Sequence, residues 1–168
     1  MRWIHALLLC LTVPVTPAAA QCRLCPEGGG ITAEQVPAAP IKLELETSLD
    51  FDQLVLTGGG GGTVQLGPDG SRTTSGAVGA LSPRAMFGEL LIRGQPGRSV
   101  RVSLPDRIEL FGSGGGTLVI HKLATDLPSL PRLDTEGRLR LRFGGELSVS
   151  GAAEGDYRGD IAIAVDYL

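Results

Sequence analysis

"GDYRGDIAIAVDYL", residues 155–168, carries the cleanest hydrophobic alternation in the chain. Tyr157, Ile161, Ile163, Val165 and Tyr167 fall on one face at a period of two, while Arg158, Asp160 and Asp166 fall on the other. No convincing helical period of 3.6 competes with this alternation. The pattern predicts a strand. Because the alternation runs to within one residue of Leu168, that strand is expected to pair with something along its length.

The same period recurs upstream. "IKLELET" (41–47), "FDQLVL" (51–56), "GTVQL" (62–66), "MFGELLIR" (86–93), "SVRVSL" (99–104), "RIELF" (107–111), "TLVIHKL" (117–123), "RLRLRF" (138–143) and "ELSVS" (146–150) are short alternating segments split by Gly, Pro and Asp. No segment carries a helical period, so residues 41–168 are predicted to form an all-β domain, an immunoglobulin-like antiparallel β-sandwich. The turns carry their own chemistry. "GPDG" (67–70) and "DTEG" (134–137) put Asp and Gly where tight turns want them, and "GQPG" (94–97) puts Pro before Gly as a type II turn requires.

The N-terminal region reads differently. Arg2, the apolar run from Ile4 to Val15 and the small residues Thr16 to Ala20 have the form of a secretory signal, predicted to be cleaved after Ala20. The run is short and interrupted by Pro14 and Pro17, which argues against a membrane anchor. Residues 21–40, "QCRLCPEGGGITAEQVPAAP", have little apolar periodicity and read as a flexible arm. Cys22 and Cys25 in that arm form C-x-x-C; in an exported chain a small local disulfide is expected. Redox catalysis would want the pair at a helix start, and zinc would want two further ligands.

Composition narrows the function classes. There are 15 Lys and Arg against 18 Asp and Glu, interspersed without a basic block, so neither nucleic acid nor an anionic membrane surface is an expected partner, and no membrane insertion is expected once the signal is removed. Beyond the signal there is one histidine, His121, in a predicted strand, and "GSGGG" (112–116) lacks the spacing of a nucleophile elbow. No catalytic residue, metal ligand or cofactor is therefore predicted. The glycine runs at 58–62 and 112–116 read as hairpin connections, since no Lys-Ser/Thr or helix start follows them. Arg158-Gly159-Asp160 reads as a chance tripeptide at the start of a strand.

Three blocks together resemble a known family: "LDFDQLVLTGGGGGTVQLGPDGSRTTSGAV" (49–78), "LLIRGQPGRSVRVSLP" (90–105) and "LDTEGRLRLRFGGELSVSGAAEGDYRGDIAIAVDYL" (133–168). G-x-P-G, F-G-G-x-L and G-x-Y-x-G ahead of the last strand are similar to the bacterial exported domain of unknown function (DUF) family 4402. The resemblance implies an exported β-sandwich and brings no activity with it. Asp52 departs from the family's usual Gly after Phe, and the cysteine arm lies outside the common pattern.

The last strand also resembles those of chaperone–usher pilus subunits: Tyr167 is penultimate, Gly155 is fourteenth from the end, and Ile161, Ile163 and Val165 alternate between them. Gly155, Tyr157, Ile161, Ile163, Val165 and Tyr167 are thus a candidate assembly strand. The resemblance implies assembly by strand addition with copies of the chain or other surface subunits, and Ile41, Leu43 and Leu45 are the candidate donor residues. In the other arrangement "IKLELET" is the domain's own first strand and the monomer is closed. The usual inter-strand disulfide of such pilins is missing, because both cysteines lie in the arm. The expected function is that of an exported, non-catalytic structural or adhesive protein of the bacterial surface. The alternative is a stand-alone periplasmic or secreted binding module using loops 58–62, 76–85 and 112–116.

Overall fold

The computed structural model describes residues 39–151 and 153–168. The signal segment, most of the arm and both Cys22 and Cys25 lie outside these residues. Twelve strands follow in order and no helix occurs among the described residues: β1 Lys42–Thr47, β2 Leu54–Leu56, β3 Gly62–Leu66, β4 Arg72–Gly76, β5 Val78–Ala80, β6 Gly88–Arg93, β7 Val100–Ser103, β8 Arg107–Gly112, β9 Thr117–Thr125, β10 Arg138–Val149, β11 Tyr157–Arg158 and β12 Ala164–Tyr167. All pairings are antiparallel. Eight strands form one curled sheet in the order β1-β6-β10-β9-β8-β11, with β3 beside β10 and β4 beside β3. The pairs β12-β7 and β2-β5 form two small sheets.

The long strand β10 organises the sheet. One of its edges pairs first with β6, through Arg138–Phe143, and then with β3, through Gly145–Val149; the other edge carries β9. The change of partner falls on Phe143-Gly144-Gly145. Phe143 lies over Gly88 of β6, where a Cβ would overlap the ring, and Gly144 backs onto the Leu66 carbonyl at the end of β3 with no room for a side chain. The F-G-G motif is therefore the point where one strand passes between two neighbours, and glycine is what lets their backbones approach. "RLRLRF" and "ELSVS", expected as two strands, are one, because these glycines keep extended backbone while losing their side chains.

Two apolar clusters result. The first joins Phe51, Val64, Leu66, Val78, Ile108, Leu118, Ile120, Leu147 and Val149; the second joins Leu90, Ile92, Val100, Leu133, Leu141 and Phe143. The second lies between the β6–β10 part of the large sheet and the small β7–β12 sheet.

The turn expectations are met in geometry. Gly67 and Ser71 close the hairpin that joins β3 to β4, Gly137 N–H donates to the Asp134 carbonyl, and Arg98 N–H donates to the Gln95 carbonyl around Gly97, whose φ of 69° is the sign that the third position of a type II turn needs. Asp52 has φ 60°, the left-handed conformation that glycine adopts most cheaply and Asp tolerates. Its N–H donates to the Asp50 carboxylate at 2.7 Å, which compensates the turn.

Several expectations need correction. Gly58–Gly62 is not a hairpin connection, because β2 pairs with β5 and β3 with β4. "SRTTSGAVGA" (71–80) forms β4 and β5, which no alternation announced, because β4 is an exposed edge strand with polar residues on both faces. Finally, Tyr157 to Tyr167 is not one strand. β11 pairs with β8, the chain leaves strand conformation at Gly159–Ile163, and β12 pairs with β7. Gly159 sits against the Glu109 carbonyl with no room for a Cβ, and Ile161 packs against both clusters. The segment is a crossing from the first core to the second, with its apolar period kept across the break.

Candidate functional site: an open seam between two edge strands

Among the described residues β1 and β12 each have a single strand partner, so each presents a free edge there. The inward rows of β1 are set by its register on β6: Leu43 lies opposite Ile92 and Leu45 opposite Leu90. Directly opposed residues of an antiparallel pair share a face, so these leucines lie on the face that buries Ile92 and Leu90. They are nevertheless exposed, Leu43 at 42% and Leu45 at 56%. Ile41, Ile161, Ile163, Val165 and Tyr167 pack against the second cluster and remain half-buried. The second core is thus unfinished along the side where β1 and β12 end their sheets.

One residue ties the two edges together. Tyr167 Oη donates to the Ala39 carbonyl just ahead of β1, at 2.7 Å, and accepts the Gln95 N–H at 2.7 Å. The Arg98 guanidinium lies 5.2 Å from the Tyr167 ring centroid and donates to the Leu168 carbonyl. Gly94 leaves room for the Tyr167 hydroxyl that a Cβ would take. On the outer face β1 is held by ion pairs, Glu44 with Arg93 at 3.0 Å and Glu46 with Arg140 at 3.3 Å. The candidate donor residues Leu43 and Leu45 are accordingly placed in this domain's own β1. Of the candidate assembly strand, Val165 and Tyr167 are in β12, Ile161 and Ile163 in the crossing, Tyr157 in β11, and Gly155 in the turn before it with φ 94°.

His121 occupies β9, half-buried, with Nε2 2.5 Å from Ser148 Oγ across the β9–β10 ladder. Glu146 stands directly opposite His121, yet its carboxylate is taken by the Lys122 ammonium, at 3.0 Å to both oxygens. Lys122, at φ 51°, is the extra residue of a β-bulge facing Gly145. The histidine–hydroxyl contact lies within a row of polar cross-strand neighbours, Thr73, Gln65, Glu146, His121 and Arg107. It lines neither of the two cavities described here.

The family model for the domain of unknown function DUF4402 matches residues 41–167. The chain belongs to this family. Neither a search of curated proteins nor one of solved structures returned a match. In this DUF4402 domain three motifs are steric devices: G-x-P-G turns the chain and clears Tyr167, F-G-G marks the partner change of β10, and G-x-Y-x-G holds Tyr157 against the first core while Gly159 lets the chain cross.

The DUF4402 domain has further concave surface at two places. A cavity of about 390 Å³ lies beside β7, lined by Val102, Leu104, Leu127 and Leu130 among others. Another, of about 360 Å³, lies at the β8–β9 hairpin and β11. Of the glycine loops, 112–116 contacts the segment before β11 through the Ser113 N–H, which donates to the Asp156 carbonyl, and 58–62 lies against Gly151. The sequence reading missed the Tyr167 hydroxyl contacts and the exposure of Phe111. The penultimate position of Tyr167 signalled the first, and nothing in the alternation signalled the second.

Proposed function

We propose that this chain is an exported, non-catalytic structural or adhesive protein of the bacterial surface, whose domain is an immunoglobulin-like sandwich that takes an extra strand from a neighbouring subunit. The observation that carries the reading is the exposure of Leu43 and Leu45 on the face that buries Ile92 and Leu90. A free edge supplies backbone donors and acceptors, and an uncovered apolar row supplies the pockets for alternate side chains; together these are what strand addition uses. Fully burying a Leu or Val side chain contributes about 1.5–3 kcal/mol, so completing the cover over Leu43, Leu45, Ile163 and Val165 yields several kcal/mol before ordering costs. The export reading rests on the signal-like residues 1–20.

The test is a denaturing gel of envelope extracts, boiled and unboiled, comparing the natural chain with Leu45→Asp. A ladder in the unboiled natural sample that is lost in the variant supports strand addition. A single monomer band in every lane, or a ladder that ignores the substitution, overturns it. A second reading, a stand-alone binding module, is favoured by one observation: Phe111 stands 61% exposed beside the β8–β9 hairpin.

A further inference from the structure

β8 and β11 run antiparallel with Phe111 opposite Arg158 and Gly112 opposite Tyr157, and Ser113 N–H donates to the Asp156 carbonyl at 2.9 Å. Alternation therefore sends Phe111, Ser113, Asp156 and Arg158 to the outer face, while Leu110 and Tyr157 pack against the first core. These four side chains, with the Gly112 backbone, line the cavity of about 360 Å³. Among the described residues neither the Asp156 carboxylate nor the Arg158 guanidinium has a hydrogen-bond or ion-pair partner, whereas the neighbouring Arg107 and Glu109 pair at 3.3 Å. Gly114 and Gly115 of the hairpin have open space around them, and Phe111 itself is largely exposed.

The geometry points to a saccharide site here, one that takes a neutral hexose or N-acetylhexosamine ring. An aromatic face packs against the apolar C–H face of a pyranose, a carboxylate accepts from two adjacent hydroxyls, and a guanidinium donates to hydroxyl or ring oxygens; Phe111, Asp156 and Arg158 supply one of each. The charges decide the class. Arg158 alone would suit a phosphate or sulfate, but the unpaired Asp156 carboxylate lining the same cavity opposes an anion. The inference deepens the binding-module reading and stands apart from the seam, which lies against the other core.

The test uses the full chain on an array of glucose-, galactose-, mannose- and N-acetylglucosamine-terminated glycans alongside sulfated and sialylated ones, with hits titrated by calorimetry. Binding to a neutral glycan is expected, weakened about tenfold in Phe111→Ala and comparably in Asp156→Asn. Phe111 is largely outside the core, so its truncation leaves the fold in place; Arg158→Ala gives a second, independent loss. Binding should persist in Leu45→Asp, and the gel ladder should persist in Phe111→Ala, which separates failure of this site from failure of strand addition. No binding to any neutral glycan, a preference for the anionic ones, or neutral binding unchanged in all three site variants overturns the inference.

Discussion

"KLELET" in β1 and "RLRLRF" at the start of β10 share one alternation of charge and leucine, and they flank β6 in mirrored register. Leu43 and Leu139 oppose Ile92 from either side, and Leu45 and Leu141 oppose Leu90. Yet Leu141 is fully buried and Leu45 is more than half exposed. Val100 and Leu133 belong to the cluster that buries Leu141, and among the described residues no comparable layer covers Leu45. The alternation encodes a strand with two unlike faces. Whether the apolar face is buried depends on a second layer contributed by residues far away in sequence.

The sharpest way to break this comparison is truncation in both strands. Leu141→Ala should cost about 2–5 kcal/mol in urea unfolding, as a fully buried leucine does. Leu45→Ala in the monomer should stay within roughly 0.5 kcal/mol, as an exposed site does. Equal costs would mean that the row over Leu45 is covered and that there is no open seam. Next in size is Tyr167→Phe, which leaves the Gln95 N–H and the Ala39 carbonyl to water and should cost about 0.5–1.5 kcal/mol. Amides of β1 should then exchange with deuterium faster while those of β10 keep their protection. Unchanged exchange in β1 would remove the hydroxyl as the tie between the two edges.

The smallest effect concerns the turn that starts β10. The Asp134 carboxylate accepts the N–H of Arg138 and then that of Glu136, each at 2.8 Å, and these bonds hold its pKa below the ordinary 3.8. A group with a depressed folded-state pKa stabilises the protein above its unfolded pKa, and that contribution is lost as pH falls through the folded value. Asp134→Asn should therefore be slightly less stable than the natural chain near neutral pH. The difference should shrink below about pH 4 and vanish in stronger acid. A gap in thermal midpoint that is the same at neutral pH and in strong acid would mean that the carboxylate charge contributes nothing to this turn.

Much of the fold was legible by itself in the order of residues. Period two marked ten of the twelve strands, β11 and β12 as one run, because a pleated strand with one core face must alternate, and Gly, Pro and Asp marked the turns because their backbones fit them. β4 was silent, since an exposed edge strand needs no apolar face, and β5, three residues long with one buried Val78, was too short to show a period. The same rule hid the break at Gly159: Ile161 and Ile163 face a core on both sides of the crossing, so the period continues while the hydrogen-bond partner changes from β8 to β7. For the seam, sequence marked the residues, Leu43, Leu45, Val165 and Tyr167, but not their state. Only tertiary structure decides which strand a β-edge pairs with and which face lies uncovered, because backbone hydrogen bonds carry no residue identity and burial is a property of the opposing layer.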